Sequence, residues 1–523
     1  MYIEPNTTIK LYSGIPLDNS YKNTLYFATL SAQNSYFHGG ISKYTLARQS
    51  YQRVERGRMR VELLADNIYD CNYLAFQNEN FGNKWFYAFI TGVEYVNNTT
   101  SEITFEIDVM QTWYFDYELL DSFVEREHTN NDTIGANLVD EGLDTGEYVL
   151  GNVSQFDMGD YAIVMLTNEW WEDAPQPSTV PFIWHHDIGT MRSGTLQGVH
   201  YYQYDIDSSG LSALRTDLNV FNGEGKTSSI LGIFLMPKKF ITSGDTPNHW
   251  VDSVAKQYGA FEGYTPRNNK LYTFPYNFLY VSNMCGKSAV FPYEFFGSNN
   301  CSFYIVGSTT SNMELMLFPL NYKGSGNTEN LDEGLPLKGF PQCSFTIDTY
   351  KAWLAQNSAT QGLSALQSMG AMGAGFAGLL SETVKPMIAG GMVLGGLSSI
   401  LNLVAKRMDR SVQPTQTQGN DNATVLACDR KLTYVYMNKH IRGEYARIID
   451  NFFTMYGYAT KRVKTPNIHA RQRWTYTKTV GCNIKGQCPV KHLEKIISIY
   501  DNGITFWVNP SEVGNYSLAN PTI

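Results

Sequence analysis

The sequence predicts a mainly β protein with some α, and three observations carry that expectation. The chain of 523 residues is 14% aromatic and only 17% charged, where soluble domains are usually ~25% charged. Aromatic and β-branched side chains suit the pleated, half-buried surface of a sheet. Near the N-terminus apolar and polar residues alternate with period two. Up to about residue 345, Gly, Asn, Ser and Pro cut the chain into short apolar runs. A chain of this length holds about two to four domains with cores of their own.

Taken in order, Met59, Val61 and Leu63 alternate with Arg60, Glu62 and Leu64 and predict a strand. Lys84 to Val96 is a long aromatic run, followed by the turn residues Asn97-Asn98-Thr99-Thr100. Ile103, Phe105, Ile107 and Val109 then alternate with Thr104, Glu106, Asp108 and Met110. Together these make a β-hairpin whose second strand has one wet face. Short strands are expected at Tyr161–Leu166, Ile230–Leu235 and Leu315–Phe318. Asp348 is placed to cap a helix through Tyr350, Trp353 and Leu354. Near the C-terminus Ile441, Tyr445, Ile448, Phe452 and Met455 share one helical face, with Gly457 as the stop. Strands follow near Tyr458–Val463 and Trp474–Val480. A short helix marked by Leu493, Ile496 and Ile497 starts after Pro489, and Asp501-Asn502-Gly503 turns into a strand at Ile504–Val508.

The most distinctive stretch runs from about Thr360 to Ala405. Two weakly apolar arms, Leu363–Leu380 and Pro386–Ala405, flank a short connector that carries the only charges, Glu382 and Lys385. Each arm, as a helix of 18 to 20 residues, would reach ~30 Å, about the thickness of bilayer hydrocarbon. On the first arm Leu363, Leu366, Met369, Met372, Phe376, Leu379 and Leu380 would face lipid. On the second, Met387, Ile388, Met392, Val393, Leu394, Leu397, Ile400, Leu401 and Leu403 would do the same. Small residues recur at four-residue spacing: Ala371 with Gly375, Ala374 with Gly378, Gly391 with Gly395. That spacing lets helix backbones approach closely. Glycine costs ~1 kcal/mol in a water-exposed helix and gives a core no side chain. The residues leave three readings: a conditionally membrane-inserting segment, a buried apolar hairpin, and a flexible loop. Lys406, Arg407 and Arg410 flank the segment, and a polar linker spans residues 413–422.

Bulk chemistry narrows the function classes. A formal charge of −9 argues against gripping nucleic acid, though it permits a duct through which DNA passes. Cysteines 71, 285, 301, 343, 428, 482 and 488 form no CxxC pair, so free thiols are expected, with no metal and no cofactor. The first residues, MYIEPNTTIK, contain no secretory signal pattern. Catalytic motifs fail. Gly223-Glu-Gly225-Lys226-Thr227 lacks the earlier glycine of a phosphate loop, Val220 standing there, and reads as a hairpin turn. His185-His186-Asp187 would point to opposite faces of a strand. Glu125-Arg126-Glu127-His128 reads as solvated charge leaving a strand. Lys461, Arg462, Lys464, Arg471 and Arg473, with Trp474 and Tyr476, form a basic and aromatic cluster suited to DNA phosphates, to subunit contacts or to plain solvation. No catalytic set emerges.

Several segments together resemble the tail knob, or distal tail tube, proteins of small short-tailed phages of Gram-positive bacteria (picovirus-type podophages). They are Asp18–Thr24, Phe81–Phe89, Phe105–Trp113, Ser122–His128, Asp140–Leu143, Arg462–Asn467, Asp501–Thr505 and Gly514–Tyr516, all near the two ends of the chain. The glycine-rich apolar segment sits where that family carries its long hydrophobic loop. The resemblance implies a homo-hexameric virion tube that conducts phage DNA without sequence specificity and contacts other tail proteins, the upper tail tube and a tail tip protein. It implies apolar loops that plug the lumen and then enter the host cytoplasmic membrane. It implies a discontinuous β-barrel tube domain from residues 1–130 and 426–523, a central knob from 131–345 and the membrane-active loop in 346–425. Rival readings are a tail-associated cell-wall hydrolase and a receptor-binding tail protein.

Overall fold

The computed structural model describes residues 6–49, 57–79, 82–167, 200–206, 208–224, 229–240, 249–309, 313–326, 328–338, 340 and 432–523. The chain is mostly β, as the sequence predicts. It divides into two compact units, one built from residues 1–146, 260–273 and 442–523, the other from 147–259 and 274–441.

The first unit holds a six-stranded antiparallel sheet with the spatial order Tyr44–Gln49, Thr7–Ser13, Cys71–Gln77, Phe86–Asn97, Thr100–Ile107, Arg58–Val61. The expected hairpin is there, in the register Val93↔Ile103 and Ile90↔Phe105. One face of the sheet buries Tyr12, Tyr73, Tyr87 and Phe89. The other gathers Ile9, Leu11, Met59, Val61, Leu74, Phe76, Ala88, Ile103 and Phe105, with Tyr44 and Leu46 from the first edge packed against them. The sheet is curled, in the sense that the right-handed twist of its strands favours.

A second sheet of this unit joins the two ends of the chain. Its order is Asn23–Leu25, Ile504–Trp507, Trp474–Val480, Ser122–Glu127, Tyr458–Lys464. The N-terminal strand Ser122–Glu127 lies between two C-terminal strands, in the registers Val480↔Phe123 and Val463↔Phe123. Trp474 and Trp507, both fully buried, pack with centroids 5.0 Å apart beneath Tyr516.

The second unit contains three antiparallel sheets. One runs Tyr148–Gln155, Val435–Ile441, Asn277–Ser282, Ser288–Phe291; one runs His200–Asp205, Tyr161–Thr167, Ile230–Pro237. The last runs His249–Ala255, Asn300–Thr309, Met313–Leu320, Leu335–Leu337. All three feed one core that includes Ile163, Tyr202, Val281, Phe291, Phe303, Leu317 and Tyr436.

Three local expectations need correction. Ser208–Gly223 is a helix, so Gly223 ends a helix rather than making a hairpin turn. In the helix Gly443–Tyr456 the buried face is Ala446, Ile449, Asp450 and Phe453, while Ile448 is 66% exposed. The apolar stripe misled because the core face carries a carboxylate whose partners lie far away in sequence. Glu127 and His128 are buried rather than solvated.

Gly457 ends that helix with φ +64°, and a Cβ there would stand 2.1 Å from the Glu127 carbonyl oxygen. Only glycine combines that backbone angle with that approach. Gly457→Ala should lower the stability of the isolated chain by more than ~2 kcal/mol, read as a shift of the denaturant midpoint; an unchanged midpoint would contradict the close approach.

Candidate functional site

The apolar residues 363–403 and their packing glycines 375, 378, 391 and 395 lie outside the described residues, as do Asp348, His185, His186, Asp187 and the linker 413–422. Among the described residues no helix is long and apolar enough to cross a membrane. What the structure defines is how the chain is held on either side of residues 341–431. Before them, strand Leu335–Leu337 pairs with Met313–Leu320, and Phe340 is buried. After them, Leu432 and Tyr434 are buried in the same core cluster as Leu335, Leu337 and Phe340. The Tyr434 hydroxyl donates to the Leu335 carbonyl at 2.9 Å, and the Phe156 N–H donates to the Tyr434 carbonyl at 2.9 Å. Both ends of the segment are therefore fastened into one core.

The other concentration of chemistry is a buried polar hub in the first unit. Glu141, with no exposed side-chain surface, accepts from Arg126 and Lys270 and from the Ala459 N–H at 2.9 Å. Burial lowers the pKa of Lys270, and Glu141 opposes that shift. Arg126 also donates to the Gly457 carbonyl at 2.8 Å and lies over the Phe452 ring. Glu127 pairs with Lys464 and accepts the Asn467 N–H at 3.1 Å.

Asp450 accepts the Tyr264 hydroxyl at 2.6 Å, the Arg267 N–H at 2.8 Å, the Asn268 N–H at 3.0 Å and the Asn268 amide at 2.7 Å. The His128 ring bridges the backbone of a strand and a helix: Nδ1 accepts the Tyr476 N–H at 2.8 Å, leaving Nε2–H to donate to the Thr454 carbonyl at 3.2 Å. Glu127, Glu141, Lys270 and Asp450 each meet an opposite charge or several donors, the condition under which burial is tolerable.

The hub takes up part of the basic and aromatic cluster. Trp474 and Tyr476 are core residues, Lys464 is paired with Glu127, Arg473 with Glu512, and Arg471 stands 3.7 Å from Asp132. Lys461 and Arg462 stay exposed, with the Lys461 Nζ donating to the Asp140 carbonyl at 3.2 Å. Pattern alone could not find Glu141, Asp450 or Lys270, because their partners are 15 to 318 residues away. Among the described residues no cluster of His, Cys, Asp and Glu could hold a metal ion, and Cys71, Cys285, Cys301, Cys482 and Cys488 are free thiols.

With this geometry in hand, comparison with known proteins is informative. The family model described as Bacillus phage phi29, tail knob protein gp9, C-terminal domain, matches residues 238–521. The model for the caudoviral major tail protein N-terminus matches residues 5–118. The chain is 27% identical to the tail knob protein gp9 of Bacillus phage phi29 over 595 aligned positions, covering 98% of both chains. It is 28% identical to its counterpart from Bacillus phage PZA and 26% to that from Bacillus phage B103, again with 98% of both chains covered. The solved structure of the bacteriophage C1 tail knob protein, gp12, superposes with a TM-score of 0.59 over 99% of this chain and 100% of that one. At 15% identity it is similar in fold.

Two outcomes test the hub. Glu141→Gln leaves Lys270, whose side chain is 3% exposed, without its counter-charge; a loss of ~3–5 kcal/mol is expected, by denaturant titration. Asp70→Asn, which removes the exposed partner of Lys43, should leave the midpoint nearly unchanged. Burial, aided by Arg471, pushes His128 down to about 3. The unfolded chain therefore binds the extra proton first, and stability is full above the ordinary histidine pKa of ~6.5. Below it, His128 should remove about 1.4 kcal/mol per pH unit until its folded pKa is reached. His38, lowered to about 4, acts in the same sense. Melting curves between pH 7.5 and 5 at about half-unit steps should be less steeply pH-dependent in His128→Asn than in the parent chain.

Proposed function

The chain belongs to the family of phage tail knob proteins, a structural part of the virion tail, and from that premise we propose that six copies form the distal tail tube. The tube conducts phage DNA through its lumen and breaches the host cytoplasmic membrane with residues near 363–405. The observation that carries this reading is the relationship to the phi29 protein across 98% of the chain, which contains a glycine-rich apolar stretch in its third quarter. Family members bear the name of a tail component and not of an enzyme, which disfavours a wall hydrolase.

We assign the tube wall to residues 1–130 and 426–523, the distal knob to 131–345 and the membrane-active loop to 346–425, with 432–441 packed in the second unit and 260–273 in the first. The sheet that interleaves strands from both chain ends supports one wall domain made from both termini. Leu363, Leu366, Met369, Met372, Phe376, Leu379 and Leu380 on one arm, and Met387, Ile388, Met392, Val393, Leu394, Leu397, Ile400, Leu401 and Leu403 on the other, are the lipid-facing set. Six such loops gathered in a tube end hide apolar surface from water, at ~25 cal/mol per Å². In lipid, hydrocarbon replaces the neighbouring loops and helix formation satisfies each backbone group. The switch therefore needs a trigger that opens the ring rather than a large intrinsic energy difference. Lys406, Arg407 and Arg410 would sit among anionic headgroups. The net charge of −9 suits a lumen that does not hold DNA back.

Deletion of Leu363–Leu403 should leave hexamers intact by native mass spectrometry and abolish dye release from anionic liposomes. Leakage equal to the parent's would discard the loop mechanism. Gly391→Leu and Gly395→Leu should impair leakage more than assembly, because bulk at those positions blocks close helix approach.

A further inference from the structure

The first unit contains a cleft of about 710 Å³ walled by residues 128–133, 267–269 and the C-terminal segment 518–522. Its volume is in the range that takes a drug-sized ligand or a few residues of extended peptide. Arg471 lies in its wall and is 5% exposed. A guanidinium stays charged and offers five donors in a planar fork. Here that fork is poorly used. Nη1 reaches the Asn520 carbonyl only at 3.4 Å and stands 3.7 Å from Asp132. Nε is buried without any partner. Asp132, its nearest carboxylate, is already taken by the Tyr458 hydroxyl. A buried cation so incompletely answered is costly unless something else answers it.

We infer that this cleft is a receptor for a single carboxylate presented on a peptide, with Arg471 as the fork that receives it. Charge selects the class. Arg471 and Arg267 face Asp132 and Asp450, so the site is close to neutral and admits one negative charge more readily than the two of a phosphate. Shape agrees, since a planar fork matches a planar carboxylate through two parallel hydrogen bonds. The exposed amide of Asn130 lines the same cleft and can meet peptide N–H and C=O groups, while the Asn131 side-chain oxygen accepts the Thr133 N–H at 2.9 Å and leaves its NH₂ to donate. The carboxylate's source is either a chain terminus or an acidic side chain, as on another tail protein or a neighbouring copy.

Calorimetry with the full chain separates these. Three N-acetylated alanine pentapeptides serve as probes: one with a free C-terminus, one amidated with a central aspartate, one amidated and neutral; inorganic phosphate is the fourth. Binding of either carboxylate peptide with no binding of the neutral one supports the assignment and identifies the source. Arg471→Lys should weaken that binding at least ~10-fold, while Asp132→Asn, which removes the competing internal anion, should tighten it. Silence from both carboxylate peptides, equal binding of the neutral peptide, or a preference for phosphate overturns the proposal. Should Arg471→Lys fail to fold, the Asp132→Asn arm decides: a purely structural Arg471 predicts no gain in affinity.

Discussion

The structure depends on one strand. Ser122–Glu127 comes from the N-terminal quarter of the chain and lies hydrogen-bonded between Tyr458–Lys464 and Trp474–Val480. Nothing at either end can complete this sheet alone, so the two ends must fold as one body. The chain between them becomes an excursion from a closed unit. Closing a loop of that length costs entropy only logarithmically in its length. The sheet's apolar layer, with Trp474, Ile504, Phe506 and Trp507 fully buried, offsets that cost. A long central region can then be rebuilt in sequence while the ends stay fixed.

Apolar packing leaves the choice of strand neighbours loose, and buried polar and charged groups narrow it. Arg126, Glu127 and His128 leave the inserted strand and each finds a partner on C-terminal chain: Gly457, Lys464 and Thr454. Glu141 ties residue 126 to Lys270, and Asp450 ties residues 264–268 to the helix Gly443–Tyr456. A buried ion pair adds little net stability over an apolar pair of the same volume, but a mispaired one is strongly penalised. These contacts therefore act as a register key for the interleaved sheet. Three segments that carry the family resemblance, Ser122–His128, Asp140–Leu143 and Arg462–Asn467, supply part of the key.

That explains what the sequence made legible. Period-two alternation and turn chemistry located the hairpin Phe86–Asn97 with Thr100–Ile107, and Gly457 marked a helix end, because each signal is local. The burial of Glu127 and His128 was hidden, since their neutralising partners are 337 and 326 residues away. Asp450 disguised the core face of its helix for the same reason. The helix Ser208–Gly223 went unseen although Leu211, Leu214, Leu218 and Phe221 recur at helical spacing, because the serines, asparagines and glycines around them read as turn punctuation. As for the apolar stretch 363–403, its reading rests on sequence, on glycine spacing and on family.

The described fold constrains that stretch from outside. Phe340 on one side and Leu432 on the other enter the same hydrophobic cluster, and the Tyr434 hydroxyl closes onto Leu335. Whatever surrounds residues 341–431, water, sister chains or lipid, the two points where they leave the fold are fixed by contacts that do not involve them. The interleaved sheet and its ionic key lie in the other unit and draw on none of those residues. Under the proposed function, a segment mounted in this way would exchange one apolar environment for another with its mount unchanged. Its energetics then reduce to the difference between the two environments, which is small when both are apolar. A tail component that must remain assembled while part of it changes solvent has to meet that condition, and a separately closed wall with a doubly fastened excursion meets it.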